Sequence, residues 1–228
     1  MKCAIVTGAS SGIGAAISRM LLTKGYEVYG IGRCFSETID SNHFHEVICD
    51  LLDTNKIIQI LDTLSLKEVD LLINNAGCAY YGLHESLKKE NISEMVRVNL
   101  EAPMIITNHL LKYIRENKGT IINIASISGT HSAAHAVAYA ATKAGLISFS
   151  NSLFEEVRKH DVKVTCIIPD MTNTNLYRNA DFECDTHEGC YLDVEDVTQV
   201  VEQVIDTRSG VVMNEIIIRP QYNRIKKK

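Results

Sequence analysis

Tyr139-Ala140-Ala141-Thr142-Lys143 sets a phenol and an ammonium four residues apart, and on a helix residues i and i+4 share a face. A phenol of pKa ~10 is a poor acid or base at neutral pH, but an adjacent cation stabilises its anion and draws that value down. Ser126, 13 residues upstream at the end of a β-branched run, adds a hydroxyl able to hydrogen-bond a substrate oxygen. The three groups together suit proton transfer at a carbonyl or alcohol oxygen. Alone, Y-x-x-x-K is also an ordinary surface pattern.

A second constellation is T-G-A-S-S-G-I-G, Thr7 to Gly14, lying between an apolar run and a helical pattern. Gly8, Gly12 and Gly14 allow a tight turn and close approach of the backbone to a pyrophosphate. Ser10, Ser11 and Ile13 lead into a helix whose free N–H groups would face that anion. This context predicts a dinucleotide site. The end of the second strand then bears on cofactor choice, because a carboxylate there holds ribose hydroxyls and an arginine accepts a 2′-phosphate. The chain has Gly32-Arg33 at that point, with no carboxylate. A planar guanidinium suits phosphate, so NADP(H) is the expected cofactor, with NAD(H) as the alternative; the competing reading is a solvated arginine.

The elements that must position these groups alternate in type. Short β-branched runs at 3–7, 27–31, 45–49, 69–73, 120–125, 162–168 and 215–218 are separated by apolar residues at helical spacing. Ile13, Ile17, Met20 and Leu21 mark the first helix, with Gly25 as its cap, and Val197, Val200, Val201, Val204 and Ile205 mark the last. A long helical stretch at 87–116 is interrupted by Pro103, which predicts a kink or break. Alternation of this kind predicts an α/β fold: a Rossmann-type, doubly wound, seven-stranded parallel sheet with helices on both faces. Residues 175–192 lack periodicity and read as a long functional loop. With three prolines and no linker or repeat, residues 1–220 form one domain, and the basic residues 221–228 read as a flexible tail.

Composition removes other classes. The 228 residues are 46% hydrophobic and 22% charged, as in ordinary globular proteins. A net charge of −5 gives no general attraction to nucleic acid or to a membrane surface. No apolar run is long enough to span a bilayer and the N-terminus does not read as a signal peptide, so a cytoplasmic location is expected. Seven cysteines with no C-x-x-C pair fit neither a disulfide framework nor a zinc ribbon, and no metal is expected. Cys3, Cys49 and Cys166 read as core; Cys184 and Cys190, in a polar loop, read as candidate exposed thiols.

TGASSGIG, Asn74-Asn75-Ala76-Gly77, Ser126 and Tyr139-Ala140-Ala141-Thr142-Lys143 stand in the order and spacing of the short-chain dehydrogenase/reductases. The chain resembles that family over essentially its whole length. The resemblance implies that Tyr139 gives or takes the proton, that Lys143 lowers the phenol's pKa and binds the nicotinamide ribose, and that Ser126 orients the carbonyl. It implies that Asn99, in Val98-Asn99-Leu100, holds a water linking Lys143 to solvent. Asp50 and Leu51 would meet the adenine, and Asn75, Ala76 and Gly77 would run alongside the cofactor. Pro169, Thr172 and Thr174 would lie near the nicotinamide.

Two departures stand out. Asp170 replaces the family's glycine after Pro169, which predicts a turn kept at some backbone cost and a negative charge near the site. Near the C-terminus, Asn214-Glu215-Ile216-Ile217-Ile218-Arg219-Pro220 replaces a glycine-rich ending. In the loop, Asp181, Glu183, Asp185 and Glu188 face only Arg178 and weakly disfavour strongly anionic substrates. Tyr177, Phe182 and Tyr191 there either line an apolar pocket or pack the loop onto the core. Apolar residues on the outer faces of the helices at 87–116 and 135–159, taken with the resemblance, predict a homodimer or homotetramer. The sequence thus reads as an NADP(H)-preferring oxidoreductase interconverting a small-molecule carbonyl and a primary or secondary alcohol. Its rivals are an NADP(H)-binding regulator without turnover and an NAD-linked hydroxysteroid or sugar-alcohol dehydrogenase.

Overall fold

The computed structural model describes residues 1–35, 39–64, 66 and 68–228. Strands β1 (Lys2–Thr7), β2 (Tyr26–Gly32), β3 (Phe44–Ile48), β4 (Leu71–Asn74), β5 (Thr120–Ile124) and β6 (Lys163–Pro169) are followed by β7 (Phe182–Cys184), β8 (Glu215–Ile218) and β9 (Ile225–Lys227). Seven of them form one sheet in the order β3-β2-β1-β4-β5-β6-β8, with every pairing parallel. The predicted Rossmann-type sheet is the observed one.

Its central strands are nearly continuous apolar runs because helices cover both faces. Ile5, Leu72 and Ile121 pack on one side with Ile106 and Leu110 of α4 (Ala102–Glu116) and Leu153 of α5 (Val137–Val157). Val6, Ile73 and Ile122 pack on the other with Ile17 and Leu21 of α1 (Gly12–Thr23) and with Val197 and Val201 of α6 (Val194–Asp206). Gly25 follows α1 at φ +78°, the left-handed conformation that ends helices at glycine. Asp193 and Asp196 form a reciprocal capping box at the start of α6.

The stretch at 87–116 is broken, though not at Pro103 itself. It comprises α3 (Lys89–Val96), a π-helical turn at Arg97–Glu101, and α4. Pro103 sits in the first turn of α4, directly after the π-helical turn that carries Asn99, so the irregularity falls where the proline removes a backbone donor from a continuing helical run.

The basic tail differs from expectation. Ile225–Lys227 pair antiparallel with Phe182–Cys184, Lys226 Nζ lies 2.9 Å from Glu183 Oε1, and Lys228 Nζ donates to the Tyr177 carbonyl at 2.8 Å. Backbone pairing together with opposite charge on the loop holds residues that composition alone marks as solvated. Cysteine placement is corrected too: Cys190 is buried, Cys184 half-buried and Cys34 exposed, while Cys3, Cys49 and Cys166 are buried as expected.

Candidate active site

Strand order reverses between β1 and β4, and a cleft opens beyond their carboxyl ends, where doubly wound sheets place ligands. Its floor is the β1–α1 turn. Thr7, the last residue of β1, accepts hydrogen bonds from the amides of Asn75 and Ala76 at 3.0 Å each. Asn75 Nδ2 donates to the Thr7 carbonyl at 2.9 Å, so its side chain locks the turn rather than opening to the cleft. A Cβ on Gly14 would come within 2.2 Å of the Gly8 carbonyl oxygen, and one on Gly8 within 2.8 Å of Ala76 Cα. No side chain fits there.

The start of α1 is open: Ser11 makes no side-chain cap bond and the first turn holds no acidic residue. Uncapped amides and the positive end of the helix dipole suit an anion. A backbone cradle without room for Cβ, facing such a helix end, fits the pyrophosphate of a dinucleotide.

Gly8, Ser10, Ser11, Gly12, Ile13, Arg33, Asp50, Leu51, Asn75, Ala76, Gly77, Ser126, Tyr139, Lys143, Pro169, Thr172 and Thr174 all line this one cleft. Of the residues singled out from sequence, Gly14 and Asn99 lie behind its wall. Asn99 is fully buried; its Oδ1 accepts from the Cys78 amide and its Nδ2 donates to the Cys78 carbonyl, both at 2.9 Å, and to Thr142 Oγ1 at 3.1 Å. Asn99 thus joins the π-helical turn to the segment after β4 and to α5. Sequence reasoning missed Glu94 and gave Thr7, Val98 and Arg178 no role in the site; Glu94, Val98 and Arg178 line the cleft. Thr7 alone left a signal, as a hydroxyl residue ending an apolar strand.

Tyr139 and Lys143, both buried, project from one face of α5. Lys143 Nζ donates to the Ile124 carbonyl at 2.9 Å and lies 5.9 Å from the Tyr139 ring centre. Ser126, just beyond β5, is near enough to the Tyr139 phenol to favour its anion. Burial pushes the phenol up to about 12 against the lowering effect of Ser126. Lys143 is not among the groups that shift the phenol in the ligand-free cleft, and its own ammonium is lowered by burial to about 8.

This last value carries a stability prediction. Near pH 7 Lys143 is charged in both folded and unfolded chains, and the fold bears the desolvation cost. As pH rises from about 8 toward 10.5, the folded chain loses that proton before the unfolded one, so the cost is relieved and stability rises. Lys143→Met is expected to stabilise the ligand-free protein at pH 7 by about 1–3 kcal/mol, after loss of the Ile124 hydrogen bond. The gain should shrink toward pH 10, as read by thermal unfolding at the two pH values.

Asp170 is not in a left-handed conformation, so the expected backbone cost is absent. Its carboxylate accepts from the Met171 amide at 2.8 Å and from Arg219 Nε at 2.9 Å. The two departures noted in the sequence are thus one ion pair, and the charge of Asp170 is met by Arg219. On the substrate side Tyr177 lines the cleft, while Phe182 packs behind it, 5.6 Å from Tyr177 and 5.0 Å from Tyr81 between ring centres. The loop's acidic charge, read alone as unfavourable to anions, is offset by the basic tail folded onto it.

Residues 2–184 match the family model for short chain dehydrogenases, and the chain belongs to that family. An uncharacterized oxidoreductase of Staphylococcus saprophyticus is 31% identical over 96% of this chain and 97% of its own length. The 3-oxoacyl-[acyl-carrier-protein] reductase of Escherichia coli is 32% identical over 78% of this chain and 76% of its own. Among solved structures, a serine dehydrogenase complexed with NADP+ superposes with a TM-score of 0.86 at 25% identity, covering 96% of this chain and 94% of that one. A 4-hydroxyisoleucine dehydrogenase complexed with NADH does so with a TM-score of 0.81 at 26% identity and 96% coverage of both. The protein is a nicotinamide-dependent oxidoreductase of the short-chain type, and no helix among its described residues is long and apolar enough to cross a membrane.

Proposed function

We propose that this protein is an NADP(H)-dependent reductase that converts a small-molecule carbonyl to an alcohol, with Tyr139 as the acid. The convergence of Ser126, Tyr139 and Lys143 at one end of a glycine-floored cleft carries the reading. A bound nicotinamide supplies or accepts the hydride. Ser126 orients the substrate oxygen by hydrogen bonding, Tyr139 delivers its phenolic proton to that oxygen, and Lys143 balances the charge left behind. Asn99 positions Lys143 and Tyr139 by tying α5 to the segment that follows β4. Arg33 receives the 2′-phosphate, Asp50 and Leu51 flank the adenine, and Thr172 and Thr174 border the nicotinamide end.

The test is a panel of aldehydes and ketones with NADPH, followed by the loss of reduced-nicotinamide absorbance. Turnover of at least one carbonyl is expected. Tight NADPH binding with an inert panel would instead favour a nucleotide-binding regulator.

We also propose a homo-oligomer that works in the cytoplasm. Met104 on α4 and Val137 on α5 are exposed, and a shallow apolar depression is lined by Ala133, Val137, Ala140, Ala141 and Ala144. Buried, unpaired thiols suit a reducing compartment. Light scattering at micromolar concentration should give a dimer or tetramer mass; a monomer would refute the assembly.

A further inference from the structure

The rim of the cleft carries a charge pair of which only Arg33 has been given a role. Glu94 on α3 faces Arg33 at the end of β2, with Oε1 and Nη1 4.0 Å apart. Its Oε2 accepts the Tyr80 hydroxyl hydrogen at 2.7 Å. The Glu94 side chain is 21% exposed and so fixed, whereas that of Arg33 is 61% exposed and free to turn. Both line the same cleft as Asp50 and Leu51. Arg178, also on the rim, donates to the Asn175 carbonyl of its own turn. The site therefore does have a carboxylate near the guanidinium, brought from the opposite wall rather than from the strand end.

We propose that Glu94 is a specificity-determining residue for the cofactor: it competes with the 2′-phosphate for Arg33 and so sets how far the site favours NADP(H) over NAD(H). The inference rests on the reading of Arg33 as the phosphate's partner. A guanidinium binds an anion through paired donors, and the attraction of the Glu94 carboxylate, 4.0 Å away, draws those donors from the orientation a phosphate needs. NADH has no 2′-phosphate and does not meet this competition.

The experiment measures dissociation constants for NADPH and NADH by fluorescence of the reduced nicotinamide, with no substrate turnover, for the parent, Glu94→Gln, Arg33→Gln and the double variant. Glutamine keeps the size of Glu94 and can still accept from Tyr80, and thermal unfolding verifies that each variant folds. Glu94→Gln should bind NADPH about 3- to 10-fold more tightly, leave NADH within about twofold, and lose its gain in the Arg33→Gln background. No change, weaker NADPH binding, equal tightening of both cofactors, or a gain that survives without Arg33 overturns the proposal. If Arg33→Gln leaves NADPH affinity untouched, the reading of Arg33 fails; if Arg33→Gln weakens NADPH while Glu94→Gln is silent, the role of Glu94 alone fails.

Discussion

Tyr139→Phe is expected to lower turnover by at least ~10²-fold while NADPH binds nearly as in the parent. The substitution removes one oxygen and keeps the ring, so the packing with Tyr81, 6.0 Å away between ring centres, survives. What is lost is the proton whose release Ser126 promotes. The buried phenol is raised to about 12, so below that value the parent's supply of protonated acid does not vary with pH. Alcohol oxidation in the parent, which needs the phenolate, should instead accelerate steadily as pH rises. Single-turnover kinetics and cofactor titration on the same preparation separate chemistry from binding. A variant that keeps most of its activity would show that another group supplies the proton.

The second large effect concerns Arg33. If its guanidinium pairs with the 2′-phosphate, that charge-assisted contact contributes about 1.5–3 kcal/mol, a preference for NADP(H) of roughly ten- to a hundredfold that weakens with salt. Gly32→Asp combined with Arg33→Gln removes the phosphate's partner and introduces a carboxylate for the ribose hydroxyls, so the ratio of kcat/KM for the two cofactors should invert toward NAD(H). Space at Gly32 is limited: a Cβ there lies 3.0 Å from Ser10 Cβ and 3.1 Å from the tip of the Phe35 ring. The ring must yield by a few tenths of an ångström, so Arg33→Gln alone serves as the control. A parent that already prefers NADH, or a ratio that stays fixed, would leave Arg33 a solvated residue at a strand end.

Much of this architecture is legible in the chain because its information is local. Ile5, Leu72 and Ile121 belong to short β-branched runs that only a sheet covered on both faces can bury, and Tyr139 and Lys143 declare their shared face by spacing. Features that depend on distant segments meeting are hidden. Nothing near Arg33 announces Glu94, which belongs to another helix. Asp170 and Arg219 look like separate departures until β6 and β8 lie side by side. The tail, with Ile225 as its one aliphatic residue, gives no periodic signal, because β9 is held by backbone pairing rather than by burial. Burial is hidden in the same way: spacing shows that a cation neighbours the phenol, and only the fold shows how little water reaches either group.

The pairing of β9 with β7 also governs how the protein is best handled in the laboratory. A peptide appended after Lys228 would pull on the strand that braces the loop carrying Tyr177, whose ring borders the reaction cleft. Met1 is exposed and precedes β1 at the amino edge of the sheet, the end away from the cleft. An affinity tag or surface tether therefore belongs ahead of Met1, where it hangs from the far side of the molecule.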